Sequence, residues 1–403
     1  MSSSKPQTNT GLILVLGLLS AFGPLTIDMY LPAFPAIARD FGVPVSAVQY
    51  TLASFNIGIA LGQLIYGPLA DQLGRKPNLM AGLALYVLAS VGCMLTNSVE
   101  SMVALRFLQA IGGCTGMVIT RAIVRDKYQG NQSAKIFSTL MLIMGVAPIL
   151  APTVGSLVLE AFRWEYIFAV LALIGFVTLV YVAFFLPETL APEKRNPVAL
   201  RNSFRTYKLL LRDRQFVGYS LTAGFIQAGM FAYITGSAYV FTQLFHLSGP
   251  HYSLLFGLNA VGIIGASQLN HKLLLHYSFR QILRKVTFVY LAAAAILLLF
   301  TYTGWGGIYG VAIPLFLTLG TVGLAMPNAT AGALEKHAAH AGSASALVGT
   351  LQFSCGALAA VAVSALANQT ALPMVAVIAS CSLLAFLIFG LLVHKPKAAE
   401  KLG

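Results

Sequence analysis

The sequence predicts an all-α integral membrane protein with twelve helices crossing the bilayer. Three observations carry that expectation. The 403-residue chain is 58% hydrophobic and only 9% charged, whereas soluble domains carry roughly a quarter charged residues. Its apolar residues fall into long runs, and a helix needs about 20 of them to cross a bilayer. Its Lys and Arg collect in alternate gaps between those runs.

The runs lie near 11–35, 47–70, 78–96, 101–122, 134–158, 166–186, 215–239, 252–271, 282–302, 308–330, 344–366 and 372–393. The first ten residues are polar and show neither a basic segment nor a small-residue cleavage site, so the first run is expected to act as its own insertion signal. An even number of spans puts both ends on one side. Twenty-two of the 25 Lys and Arg fall on that side, against Arg39 and Arg163 on the other and Arg106 within a run. Basic loops stay in the cytoplasm, so both termini are expected there.

That asymmetry also accounts for the net charge of +13, which needs no nucleic-acid partner. The basic segment 189–214 separates an expected six-helix bundle, 1–188, from a second, 215–403, with a short tail. Within it, Lys and Arg interleave with Phe204, Tyr207 and Leu209–Leu211, as in an amphipathic helix lying on anionic lipid. Cys93, Cys114, Cys355 and Cys381 all fall inside runs and form no CxxC pair, which reads as apolar packing. His337 and His340 beside Glu335 have spacing that a metal can use, but they lie at a helix end without further ligands. We expect no metal and no cofactor. A membrane enzyme would need clustered His, Asp or Glu, and no such cluster occurs.

Two features carry chemistry. The turn Gly67-Pro68-Leu69-Ala70-Asp71-Gln72-Leu73-Gly74-Arg75-Lys76 sets an acid, a turn glycine and two bases directly after an apolar run. Asp28 is the one acid placed deep within a run. A charged Asp at mid-bilayer costs about 2.5–3.5 kcal/mol on insertion scales, so it should face a cavity or a partner. Gly23-Pro24 precedes it, and Pro24 cannot donate to the carbonyl of Ser20, which suggests a kink or hinge. Pro148 and Pro152 similarly mark the fifth run, with Gly145 and Gly155.

The 67–76 turn closely resembles the loop signature of the major facilitator superfamily. Arg106-Phe107-Leu108-Gln109-Ala110-Ile111-Gly112 resembles that family's fourth-helix motif, R-x-x-Q-G-x-G, with Ala110 for the first glycine. Pro148 through Ser156 resembles its antiporter motif, G-P-x-x-G-G, with Ala151 and Ser156 replacing glycines. Ile27-Asp28-Met29-Tyr30-Leu31-Pro32-Ala33-Phe34-Pro35 looks like the Bcr/CflA, or bicyclomycin-resistance, branch of drug:proton antiporters. The equivalent loop of the second half, near Asn270–Lys285, is degenerate. The resemblance implies two pseudo-symmetric six-helix bundles in a bacterial inner membrane, alternating access, and export of bicyclomycin-like drugs, with sulfonamides as further candidates, against inward protons; a monomer is the default expectation. A metabolite carrier for an amino acid such as cysteine, or for a sugar, is the alternative on the same fold.

The resemblance also implies roles. Asp28 and Arg106 sit at matching depths, about 9–10 Å below the outer surface at 1.5 Å per residue. They are expected to pair if their helices line one cavity, either for coupling or as a static packing pair. Gly67, Asp71, Gly74, Arg75, Lys76 and Asp126 would form a gating loop: Arg75 would pair with Asp126, and Asp71 would face the positive end of the eleventh helix near Gly342–Ser343. Simple topological anchoring would use the same charges. Pro148, Pro152 and Gly155 would let the fifth helix pack closely on the second half. Tyr30, Asn56, Gln63, Gln109, Met141, Met144, Gln227, Met230, Phe231, Tyr233, Asn259 and Gln352 are the candidate cavity lining, because polarizable and amide side chains suit varied apolar ligands.

Overall fold

Proline and glycine punctuate an otherwise helical chain. The computed structural model describes residues 10–128, 130–195, 197–337 and 340–393, and it contains no strand among them. The helices are α1 (Thr10–Asp28), α2 (Phe34–Phe41), α3 (Val45–Leu73), α4 (Arg75–Leu95), α5 (Val99–Lys127), α6 (Gly130–Ala161), α7 (Glu165–Phe185), α8 (Ala199–Leu210), α9 (Arg214–Ala238), α10 (Gly249–Leu273), α11 (Phe279–Thr303), α12 (Gly307–Leu334), α13 (Ala341–Ala365) and α14 (Leu372–Ile388).

The first apolar run is not one helix. α1 stops at Asp28, a short 3₁₀ turn occupies Leu31–Ala33, and α2 follows. Pro32 and Pro35 lack the N–H groups that would carry the hydrogen-bond ladder on from α1, and Pro35 falls in the first turn of α2, where a missing donor is tolerated. Pro24 lies within continuous helix. Gly42, at φ 65°, ends α2 in the left-handed conformation.

Among the described residues, eleven segments are long and apolar enough to cross a membrane, one fewer than expected. The missing one is α9, whose 25 residues are long enough but include Ser, Thr, Gln, Gly and Tyr. Most of its residues are buried, against α12, α13 and α14. A helix walled by protein has no lipid face to keep apolar, so its hydropathy falls while its length does not.

The packing pattern repeats. In the first set, α1 lies on α5 and α6, α3 on α5, and α4 on α5 and α7. In the second, α9 lies on α12 and α13, α10 on α12, and α11 on α12 and α14. The two sets meet chiefly along α3 with α13 and α6 with α10. The segment between them carries α8, which rests on α3 and α13. Tyr207 and Leu210 of α8 are buried there, while Phe204, Leu209 and Leu211 are exposed. The four cysteines are buried and unpaired.

Candidate functional site

Asp28 is the last residue of α1 and is only 4% exposed. Together with Gly23, Pro24 and Ile27 it lines a cavity of about 290 Å³ between the two helix sets. Met117 of α5 and Met144, Gly145 and Pro148 of α6 continue the wall. The second set contributes Gln227, Met230, Phe231, Tyr233 and Ile234 of α9, Phe256, Asn259 and Ile263 of α10, and Phe353 of α13. Asp28 is the one charged side chain in this lining. The Asn259 Nδ2 donates to the Tyr233 hydroxyl at 3.0 Å, and that hydroxyl lies within electrostatic reach of Asp28.

Arg106 does not pair with Asp28. It is fully buried inside the first helix set, where Nη1 donates to Gln109 Oε1 at 2.6 Å and Nη2 to the Thr26 carbonyl at 3.3 Å. Its guanidinium stacks on Phe55 at 4.4 Å and on Tyr30 at 4.7 Å. Gln109 in turn donates to Ser90, and the Thr26 hydroxyl bonds that of Tyr86. The reason is angular. Thr26 and Asp28 are two positions apart on a helix, about 200° in azimuth, so the face that meets Arg106 turns Asp28 away. Matching depth was insufficient to bring them together.

The cavity lining departs from expectation in the same way. Met144, Gln227, Met230, Phe231, Tyr233 and Asn259 line the cavity. Tyr30 and Gln109 instead surround Arg106, and Tyr30 also bonds Thr51 at 3.0 Å. Asn56 is buried in α3. Gln63 packs directly over Gly349 of α13, where any larger residue would collide. Gln352 does not line the cavity. The Met141 side chain lies outside the described residues. Ile27, Met117, Phe256, Ile263 and Phe353 were not anticipated, since an apolar residue on a membrane helix carries no signal of which way it faces.

At the end bearing the 67–76 turn, Arg75 pairs with Asp126, Nε to Oδ2 at 2.9 Å, and with Asp71. The main chain there is capped by Glu188, which no sequence signal had marked. Its carboxylate accepts the N–H groups of Arg75 at 3.0 Å, Lys76 at 3.2 Å, Thr189 at 2.8 Å and Leu190 at 2.9 Å. Those four donors hold its carboxyl below the usual range despite partial burial. Gly74 has φ 109° and ψ 164°, and a Cβ there would lie 2.5 Å from Glu188 Oε2; both facts require glycine. Lys76 Nζ donates to the Ala183 carbonyl at 2.8 Å. Asp71 and the α13 start, Gly342–Ser343, border one shared cavity, with no hydrogen bond between them among the described residues. Gly67 opens onto the same space.

The opposite end is latched. Gln49 of α3 donates to the Thr235 carbonyl of α9 at 2.9 Å. Ser253 of α10 donates to the Pro152 carbonyl at 3.2 Å and bonds Ser156 at 2.9 Å. Gly145, Ile149, Pro152 and Ser156 thus form one stripe of α6 that meets α10. Gly155 faces the other way, against the Met29 carbonyl at the end of α1. Near mid-depth, Thr350 of α13 donates to the Ala60 carbonyl of α3 at 3.0 Å. At the charged end α3 is bonded to the intervening segment: Gln72 donates to the Pro197 carbonyl, and Tyr207 donates to the Leu64 carbonyl.

A family model described as the Major Facilitator Superfamily matches residues 16–360. An uncharacterized MFS-type transporter of Bacillus subtilis (strain 168), YdgK, is 38% identical over 94% of both chains. A bicyclomycin resistance protein homolog of Haemophilus influenzae is 33% identical, again over 94% of each. The partially occluded inward open conformation of the xylose transporter XylE from E. coli superposes with a TM-score of 0.72 over 96% of this chain and 98% of that one. At 14% identity that likeness concerns the fold alone.

Proposed function

Because this chain belongs to the major facilitator superfamily, in the group that holds the bicyclomycin-resistance (Bcr/CflA) proteins, we propose that it is a proton-coupled exporter of small drugs, working by alternating access. It is a multi-pass membrane transporter rather than an enzyme. The observation that carries the proposal is Asp28, the one charge in an otherwise largely apolar cavity between two helix sets.

An ionised carboxylate is expensive in a buried apolar site unless something compensates it. No cation bonds Asp28 among the described residues, so a proton or a donor group on the cargo is the natural compensator. Cargo and proton would then compete for one acid, and each proton moved inward across about 150 mV would release roughly 3.5 kcal/mol. That supports a cargo gradient of a few hundredfold.

Across the cavity, the Tyr233 oxygen accepts from Asn259, which leaves its O–H to donate. A ligand with one donor for Asp28 and one acceptor for Tyr233 would tie the two helix sets together. The apolar and methionine walls suit varied ring systems. In this reading the charged end faces the cytoplasm with both termini. The first bundle is 1–188, the linker 189–214 touches the anionic inner leaflet, and the second bundle is 215–403. The molecule acts as a monomer.

Proton release on adding drugs, bicyclomycin and chloramphenicol first, to detergent-solubilised protein tests this reading. Wild type should release protons and Asp28→Asn should not. Equal release from both would move coupling elsewhere. Silence across the whole panel would favour metabolite transport.

A further inference from the structure

At the charged end a second cavity of about 400 Å³ lies between the ends of α3 and α5, the α8 helix, and the start of α13. Arg75, Arg121, Arg125 and His340 line it, against a single acid, Asp71. Asp71 and Asp126 are both turned to Arg75. Arg121 and Arg125 make no ion pair or hydrogen bond among the described residues. They stand four positions apart on α5, so they share one face, and like charges so placed repel.

The opposite wall is the α13 N-terminus. Its first N–H groups have no partner within the helix, and its Ncap, His340, makes no side-chain capping bond. A Cβ at Gly342 would meet nothing within 4 Å, so that backbone is open to the cavity. Ser203 and Ser343 add hydroxyls.

We propose that this cavity binds a phosphoryl-type anion, held by Arg121 and Arg125 on one side and by the first turn of α13 on the other. A guanidinium matches phosphate geometry with paired donors, and a helix N-terminus presents N–H groups and a favourable dipole. The anion bridges the first helix set, the α8 segment and the second set, so its binding clamps the charged end shut. This site lies apart from the Asp28 cavity and does not depend on what cargo is carried.

The test uses inorganic phosphate on the full-length protein, titrated against chloride at constant ionic strength. Calorimetry should show saturable binding, and hydrogen exchange at Ala341–Ser343 should slow as phosphate is added. Arg121→Gln with Arg125→Gln should weaken binding at least tenfold and abolish the protection, whereas the paired Lys variant should retain most of both. Repeating the titration in nanodiscs with and without phosphatidylglycerol identifies the source. Competition would point to a lipid headgroup and its absence to a soluble anion, and either supports the site. No saturable binding, or equal binding and protection in the Gln variant, would overturn the proposal.

Discussion

Arg75 and Arg280 occupy matching places in the two helix sets, yet their surroundings differ. Each opens the third long helix of its set and reaches an acid at the end of the fourth: Asp126 for Arg75, and Glu335, at 2.6 Å, for Arg280. The Arg75 side chain is 4% exposed and also holds Asp71, whereas that of Arg280 is 51% exposed and, among the described carboxylates, holds Glu335 alone. The helix starts differ too. α11 is capped from within by Ser278 and Gln281 in a reciprocal capping box, while α4 borrows Glu188 from beyond α7. A local cap stabilises one helix, but a distant cap ties three segments into one rigid corner. The second half therefore keeps the ion pair that its degenerate loop had hidden, without the buried network around it.

That contrast can be broken by substitution, with thermal unfolding in detergent as the readout. Arg75→Gln strands the largely buried Asp126 and leaves the half-exposed Asp71 without its partner, and should cost about 3–5 kcal/mol. Gly74→Ala forces a Cβ onto Glu188 and a non-glycine residue into a strained backbone region, and should cost about 1–3 kcal/mol. Glu188→Gln loses a charged acceptor for several N–H groups, at about 1–2 kcal/mol. Arg280→Gln, on the exposed pair, should cost no more than about 1 kcal/mol. If Arg280→Gln proved as damaging as Arg75→Gln, burial would not be what separates the corners.

Acidification sharpens the contrast further. The Glu188 carboxyl is held below its ordinary value by backbone donors, so its stabilisation is complete above about pH 4.3, the ordinary glutamate pKa. It is lost as pH falls through the lowered folded value. Asp213 behaves likewise: the N–H groups of Gln215 and Phe216 and the His337 ring, at 2.9 Å, hold it low. Comparing wild type with Glu188→Gln from pH 6 to pH 3 should show the two stability curves converging at the acid end.

The helices were legible because membrane length and apolarity are written locally, and because prolines and glycines mark the ends. The Arg75–Asp126 pair was legible because both charges sit beside apolar runs, where little else can hold them. Glu188 was not, since its partners lie 113 and 112 positions away in sequence and its own surroundings resemble any linker. The Asp28–Arg106 pairing failed because depth along a helix was used without azimuth. Tyr30 and Gln109 failed for a related reason: a polar side chain in a membrane helix must find partners, and these found them within the packed helices rather than in the cavity, while Gln63 borders the second cavity at the charged end.

The account rests on Asp28 as the group through which cargo and protons compete. Its most direct test is drug transport into proteoliposomes under an imposed pH gradient, with the membrane potential clamped, for wild type and Asp28→Asn. Wild type should concentrate drug against its gradient, driven by protons, while Asp28→Asn should still exchange drug for drug but lose all response to pH. Equal gradient-driven transport by both proteins would contradict the account.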